Sequence, residues 1–192
     1  MVIYRITSII LFGLVSMGIL NAQDMKQDIK EQVPIILKAL NLNNTLKEKI
    51  KNDCVIAVLY NPHSSLSGDE KKSIVKSLED NKKIKIHDKK IQVVEIPMDM
   101  NMNLEKQIMI RKINVFWLSA GLEAYANGIK ESAKFNQVIT ISSDPALVTR
   151  AFAAMSTQKS ENGYKLIINK NETNNIQLDL NEKLLSEAII VE

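Results

Sequence analysis

Three short stretches of this chain are apolar at nearly every position. They are Cys54-Val55-Ile56-Ala57-Val58-Leu59-Tyr60, Val115-Phe116-Trp117-Leu118 and Val138-Ile139-Thr140-Ile141. A strand with one face in water alternates apolar and polar residues; a strand covered on both faces has no need to. These runs are too short for buried helices and are rich in β-branched and aromatic residues. They therefore read as central strands of a sheet with helices packed on both sides.

The intervening segments supply the helices. Residues 24 to 40 place Ile29, Val33, Ile36, Leu37 and Leu40 on one helical face, with Pro34 predicting a kink or a later start. A polar-rich piece, Asn43 to Lys51, leads into the first strand. After the turn Asn61-Pro62-His63-Ser64-Ser65, Ser67 and Glu70 match a capping box for a helix reaching about Asn81, with Ile74, Val75 and Leu78 inward. Lys83 to Ile86 reads as a short half-exposed strand, and Ile91 to Ile96 as the next one, stopped by Pro97. Leu104 to Arg111 is a short helix. Ser119 is expected to cap a helix ending near Lys134, and Ser143 or Asp144 a short one beginning at Pro145. Glu161-Asn162-Gly163 is a hairpin turn, and Asn181 to Ile190 a closing amphipathic helix. The β-α-β-α order gives an α/β fold: a mostly parallel sheet flanked by helices on both faces, with a late antiparallel hairpin at the edge.

Composition narrows the chemistry. The 192 residues are 45% hydrophobic and 24% charged, an ordinary globular balance that fits one domain. The net charge of +3 comes from Lys and Arg scattered among Asp and Glu, not from the basic stripe of a nucleic-acid binder. One Cys excludes an intrachain disulfide, a Cys-based zinc site and an iron–sulfur cluster, and two His leave little for a metal centre. Cys54 reads as a small core residue. Gly-x-Ser-x-Gly and Cys–His signatures are missing, so the expectation is a non-enzymatic protein without a cofactor.

The amino terminus carries an address. Met1 to Arg5 is a short, singly charged lead; Ile6 to Leu20 is an apolar run; Leu20-Asn21-Ala22 is a cleavage site followed by Gln23. This is the three-part pattern of a signal peptide, residues 1–22, leaving a single domain over 23–192. The run falls short of the ~20 apolar residues of a membrane span. With a Lys-, Asn- and Ile-rich bacterial composition, export implies the periplasm, with no membrane insertion after the signal is removed.

Candidate binding residues follow from the fold class. Ligands of open parallel sheets bind beyond the carboxyl ends of the strands. Ser64 and Ser65, Ser119, and Ser142 and Ser143 stand at three such ends, each before a helix whose free N–H groups could hold an anion. Plain helix capping needs Ser at the same places. Met98-Asp99-Met100-Asn101-Met102 alternates soft thioethers that suit Cu(I), or that tuck against the core or a partner. Met98, Met100 and Met102, with Phe152 and Tyr164 near the hairpin, are candidate contacts for a protein partner.

Ile113-Asn114-Val115-Phe116-Trp117-Leu118-Ser119, followed by Val138-Ile139-Thr140-Ile141-Ser142, resembles the YfiR-like family of small periplasmic proteins. Tyr164-Lys165-Leu166-Ile167-Ile168-Asn169 and then Leu180-Asn181-Glu182-Lys183-Leu184-Leu185 resemble that family's closing strand, Ile-Asn step and leucine-paired helix. The likeness covers residues 55 to 190. The chain departs from the family where Leu42 to Ile50 replaces a Trp-Pro segment, where Ala153-Ala154 replaces Gly-Gly, and in lacking the disulfide cysteines of some members. The resemblance implies a periplasmic regulator that binds the periplasmic part of a membrane diguanylate cyclase, holds it inactive, lowers cyclic-di-GMP output and can self-associate. No site residue transfers from it. The same ending is similar to the last part of periplasmic substrate-binding proteins of ABC transporters, which have two lobes. A chain running from Gln23 is short for two lobes, so this second resemblance implies a single-lobe small-molecule-binding domain.

Overall fold

A computed structural model describes residues 28–192. The export segment lies outside the described residues. Among the described residues seven strands form one sheet in the order β2-β1-β3-β4-β5-β6-β7. They are β1 (Cys54–Tyr60), β2 (Ile91–Pro97), β3 (Val115–Leu118), β4 (Ile139–Ser142), β5 (Met155–Ser160), β6 (Gly163–Asn169) and β7 (Ile189–Val191). The first five run parallel, β5 and β6 pair antiparallel, and β7 runs parallel to β6.

The helices fall into two layers. On one face lie α1 (residues 28–41), α2 (Asn44–Lys49) and α3 (Ser65–Asp80). On the other lie α4 (Leu104–Arg111), α5 (Ala126–Asn136) and α6 (Pro145–Thr149). The split follows from crossover handedness. The chain leaves β1 towards β2 through α3, then returns past β1 to β3 through α4. Right-handed crossovers in opposite directions put their helices on opposite faces. Two short helices, α7 (Lys170–Asn175) and α8 (Glu182–Glu187), precede β7.

The strands bury both faces, as their sequence requires. Cys54, Ile56 and Val58 pack under α1–α3, while Val55, Ala57 and Leu59 pack under α4–α6. Helix α1 runs through Pro34 without a break. A proline inside a helix costs about 3 kcal/mol. The stripe of Ile29, Val33, Ile36, Leu37 and Leu40 is essentially inaccessible to solvent, and each such side chain contributes about 1.5–3 kcal/mol. The packing outweighs the proline.

Several boundaries differ from those expected. Residues 83–86 form no strand; Ile86 and Lys89 make a single bridge around His87 and Asp88, both with positive φ (49° and 64°). That is the geometry of a tight I′ turn. The turn is fastened to α1 and the following bend: the His87 amide donates to Asn41 Oδ1 at 2.6 Å, and its ring Nε2 lies 2.8 Å from the Asn43 carbonyl. The closing helix ends at Glu187, and Ile189-Ile190-Val191 forms β7 instead. The β-branched run prefers the extended state and finds the open side of β6. The antiparallel hairpin is therefore not the outermost element; β7 is.

Cys54 sits within the core, with burial pushing its thiol up to about 12. The thiolate is the reactive form. We expect no reaction with a disulfide reagent at pH 8 in the native protein and one thiol titrated after unfolding; rapid native labelling would contradict this packing.

Candidate functional site

The strand order reverses at β1, so the switch point lies between the carboxyl ends of β1 and β3. This is where an open α/β sheet offers a crevice. Here the crevice is filled by the chain itself. The Asn61 amide donates to Ser67 Oγ at 2.8 Å, Ser67 and Ser119 share a 2.8 Å hydroxyl contact, and Ser119 Oγ donates to the Leu59 carbonyl at 2.8 Å. Ser119 has a single proton and gives it to Leu59, so Ser67 must be the donor between the two hydroxyls. The relay is complete and buried. Asn61 also donates from Nδ2 to the Gly121 carbonyl at 3.1 Å. Gly121 has φ +76°, and a Cβ there would lie 3.3 Å from Ser64 Oγ, so glycine permits this close approach.

Glu70 completes the plug. It is 6% exposed and points from α3 towards the loop after β3. Its carboxylate accepts the Ala120 amide at 2.6 Å and a hydrogen bond from Ser143, which in turn accepts the Trp117 indole N–H at 3.1 Å. Burial raises the Glu70 pKa; the Ala120 and Ser143 bonds oppose that, and nearby Asp144 adds to it. The internal carboxylate occupies the backbone N–H that a bound anion would use.

The serines named from the sequence thus gather at one edge of the sheet, with internal duties. Ser64, not Ser67, caps α3, accepting from the Ser67 amide at 3.3 Å. Ser67 falls on the buried side because the turn after β1 is short and starts the helix earlier. Ser65 is exposed in the first turn. Ser119 does not cap α5; a 3-10 turn, Glu123–Tyr125, intervenes. Ser142 accepts the Asp144 amide at 3.0 Å, and Asp144 caps α6. Phe152 is half-buried against the α4–α6 face, and Tyr164 donates its hydroxyl to Asp28 of α1.

A second concavity lies at the same edge. The loop after β2 and the amino ends of α4 and α5 enclose a cleft of about 380 Å³. Met98, Met102, Leu104, Tyr125 and Ile129 make its apolar wall; Asp99 and Ser132 add polar groups. The methionines differ in setting: Met98 is buried, Met102 half-buried and Met100 97% exposed. Among the described residues no cluster of three His, Cys, Asp or Glu could hold a metal ion. Sequence reading found the methionines and missed the α5 wall. The signal was there: Tyr125, Gly128, Ile129 and Ser132 share a helical face. Glycine inside a helix costs about 1 kcal/mol relative to Ala. A Cβ at Gly128 would meet nothing within 4 Å, so packing does not demand the glycine; it leaves the cleft open.

No family model and no curated protein matches the chain. Solved structures do. A conserved domain protein from Vibrio cholerae aligns at 16% identity with TM-score 0.55, over 77% of this chain and 58% of its own. An ABC domain from Streptococcus pneumonia in complex with L-Trp aligns at 14% identity with TM-score 0.57, over 85% and 60%. A ligand-free, open substrate-binding protein with adhesive properties from Clostridium difficile aligns at 14% identity with TM-score 0.57, over 81% and 59%. This chain shares their α/β fold. It spans about three-fifths of the length of each.

Proposed function

We propose that this chain is a small-molecule-binding domain of the substrate-binding-protein type. The observation that carries the reading is the carboxyl-edge cleft. Its volume falls within the roughly 300–1,000 Å³ of small-molecule sites, and it combines apolar walls with a few polar groups. Asp99 suits a ligand ammonium, Ser132 a neutral polar group, and the methionines with Tyr125 an apolar body. An apolar amino acid or amine fits that chemistry. The fold shared with binding proteins, one of them holding L-Trp, supports the reading. So does the internally satisfied switch point, which leaves this cleft as the open concavity at that edge. Delivery of the ligand to a transporter or sensor in the periplasm belongs to the same proposal.

Thermal unfolding with the twenty amino acids and small aliphatic and aromatic amines tests it. A ligand at about 100 times its Kd adds about 2.7 kcal/mol. For a chain of this size that raises Tm by about 5–10 °C. Gly128→Leu, which fills the cleft, and Tyr125→Ala, which removes a wall, should each abolish the shift. Absence of any shift, or one that survives both substitutions, would contradict the reading.

The regulator reading is supported by the YfiR-like resemblance and by the exposed apolar side chains Met100, Met109, Ile110 and Phe135. It would have this domain hold the periplasmic part of a membrane diguanylate cyclase in one conformation by differential affinity. Substituting Met109, Ile110 and Phe135, which lie outside the cleft lining, would weaken that partner's capture and leave the thermal shift intact, which separates the two readings.

A further inference from the structure

We infer that the opposite, amino-terminal edge of the sheet carries a second site, for a phosphorylated small molecule. A cleft of about 560 Å³ opens there between the two helical layers. Lys49 and Lys51 reach it from the end of α2 and the loop before β1; Arg111 and Lys112 reach it from the end of α4. The fold thus joins two cationic pairs that lie some sixty residues apart in the chain. Asp53 is the lone carboxylate among the lining residues.

Helix chemistry explains only part of this charge. Cations near a helix carboxyl end favour the macrodipole, and Lys49 is also anchored, donating to the Gln137 carbonyl at 2.8 Å. Lys51 and Lys112 stand beyond their helices. Arg111 uses its Nε on Gln107 Oε1 at 2.8 Å, and none of Lys51, Arg111 or Lys112 forms an ion pair among the described residues. Lys51, Arg111 and Lys112 are exposed around one cleft, and an anion placed among them is attracted by each. Asn114 adds a directed donor. Its Oδ1 accepts the Val55 amide at 2.9 Å, which turns its Nδ2 hydrogens to other partners. A guanidinium and ammonium groups suit phosphate oxygens, and Asp53 can accept hydrogen bonds from hydroxyls on the rest of the ligand. The cleft has room for both parts. This site is independent of the carboxyl-edge cleft.

Calorimetric titration with ribose 5-phosphate, pyrophosphate and ribose tests the inference. We expect ribose 5-phosphate and pyrophosphate to bind and ribose not to bind. Arg111→Gln and Lys112→Asn (asparagine tolerates the φ of +54° at that position) should each weaken binding about tenfold, the loss of one charge-assisted contact. A Lys82→Gln/Lys83→Gln protein, which removes exposed charge elsewhere, and Tyr125→Ala should bind as the parent does. All five residues are surface-accessible or lie at the other cleft, and unfolding curves will confirm intact folding. No phosphate binding at millimolar concentration, equal weakening in the Lys82/Lys83 control, or full binding by the Arg111 and Lys112 variants would overturn it.

Discussion

Replacing Trp117 with alanine is expected to lower stability by about 3–5 kcal/mol, the usual cost of emptying a large aromatic site in a core. Trp117 lies in β3, has no accessible surface, and packs beneath the α1–α3 layer. Against a total stability of about 5–15 kcal/mol, that is about a fifth or more. In a chain of this size it lowers Tm by about 6–20 °C. The loss has two parts. One is the cavity. The other is the missing indole N–H, which leaves Ser143 one partner short beside Glu70. Trp117→Phe separates them: it restores most of the volume and should cost about 1–3 kcal/mol, the price range of one unpaired buried group. Equal losses in the two variants, by chemical denaturation, would show that the hydrogen bond and not the volume dominates. No loss in either would contradict the burial.

The second large effect concerns Glu70. Removing it with alanine strips the acceptor from the half-buried Ala120 amide and Ser143 hydroxyl, each costing about 1–2 kcal/mol, the lower part of the range for an unpaired donor. We expect a total of about 2–4 kcal/mol. Glu70→Gln keeps an acceptor and removes the titration. Burial raises the folded pKa of Glu70, so folding favours its protonated form. That contribution is fully present below the ordinary glutamate value of about 4.5 and is lost as pH rises through the raised folded value. The parent protein should therefore lose stability relative to Glu70→Gln as pH is raised from 4 to 8. A difference that is flat with pH, or grows in the opposite sense, would mean that the Ala120 and Ser143 bonds outweigh burial.

Much of this architecture was legible in the residues because its determinants are local. The all-apolar run from Cys54 to Tyr60 can only be a strand covered on both faces, and β1 has those bounds. Leu104–Arg111 is a helix at the expected ends because Asn103 caps it and Lys112 adopts the left-handed conformation that stops it. What escaped depended on distant partners. Ile189–Val191 became a strand because β6 offered an open side, which no local periodicity encodes. Ser119 looked like a cap, yet its hydroxyl belongs to a relay assembled from β1, α3 and β3. Glu70 at helical spacing looked like half of a capping box; only the loop after β3 gives it a buried role. The cleft was half visible, through its methionines, and the wall formed by α5 required the crossover that brings α5 beside α4.

Amide hydrogen exchange with and without the amino acid or amine that gives the largest thermal shift tests the proposed carboxyl-edge site most directly. The proposed site predicts slowed exchange over residues 98–104 and 124–132, with the serine relay at 61–67 and 119–121 unchanged. Slowing at the relay with none along α5 would contradict it, placing the ligand at the switch point that Ser67, Ser119 and Glu70 fill.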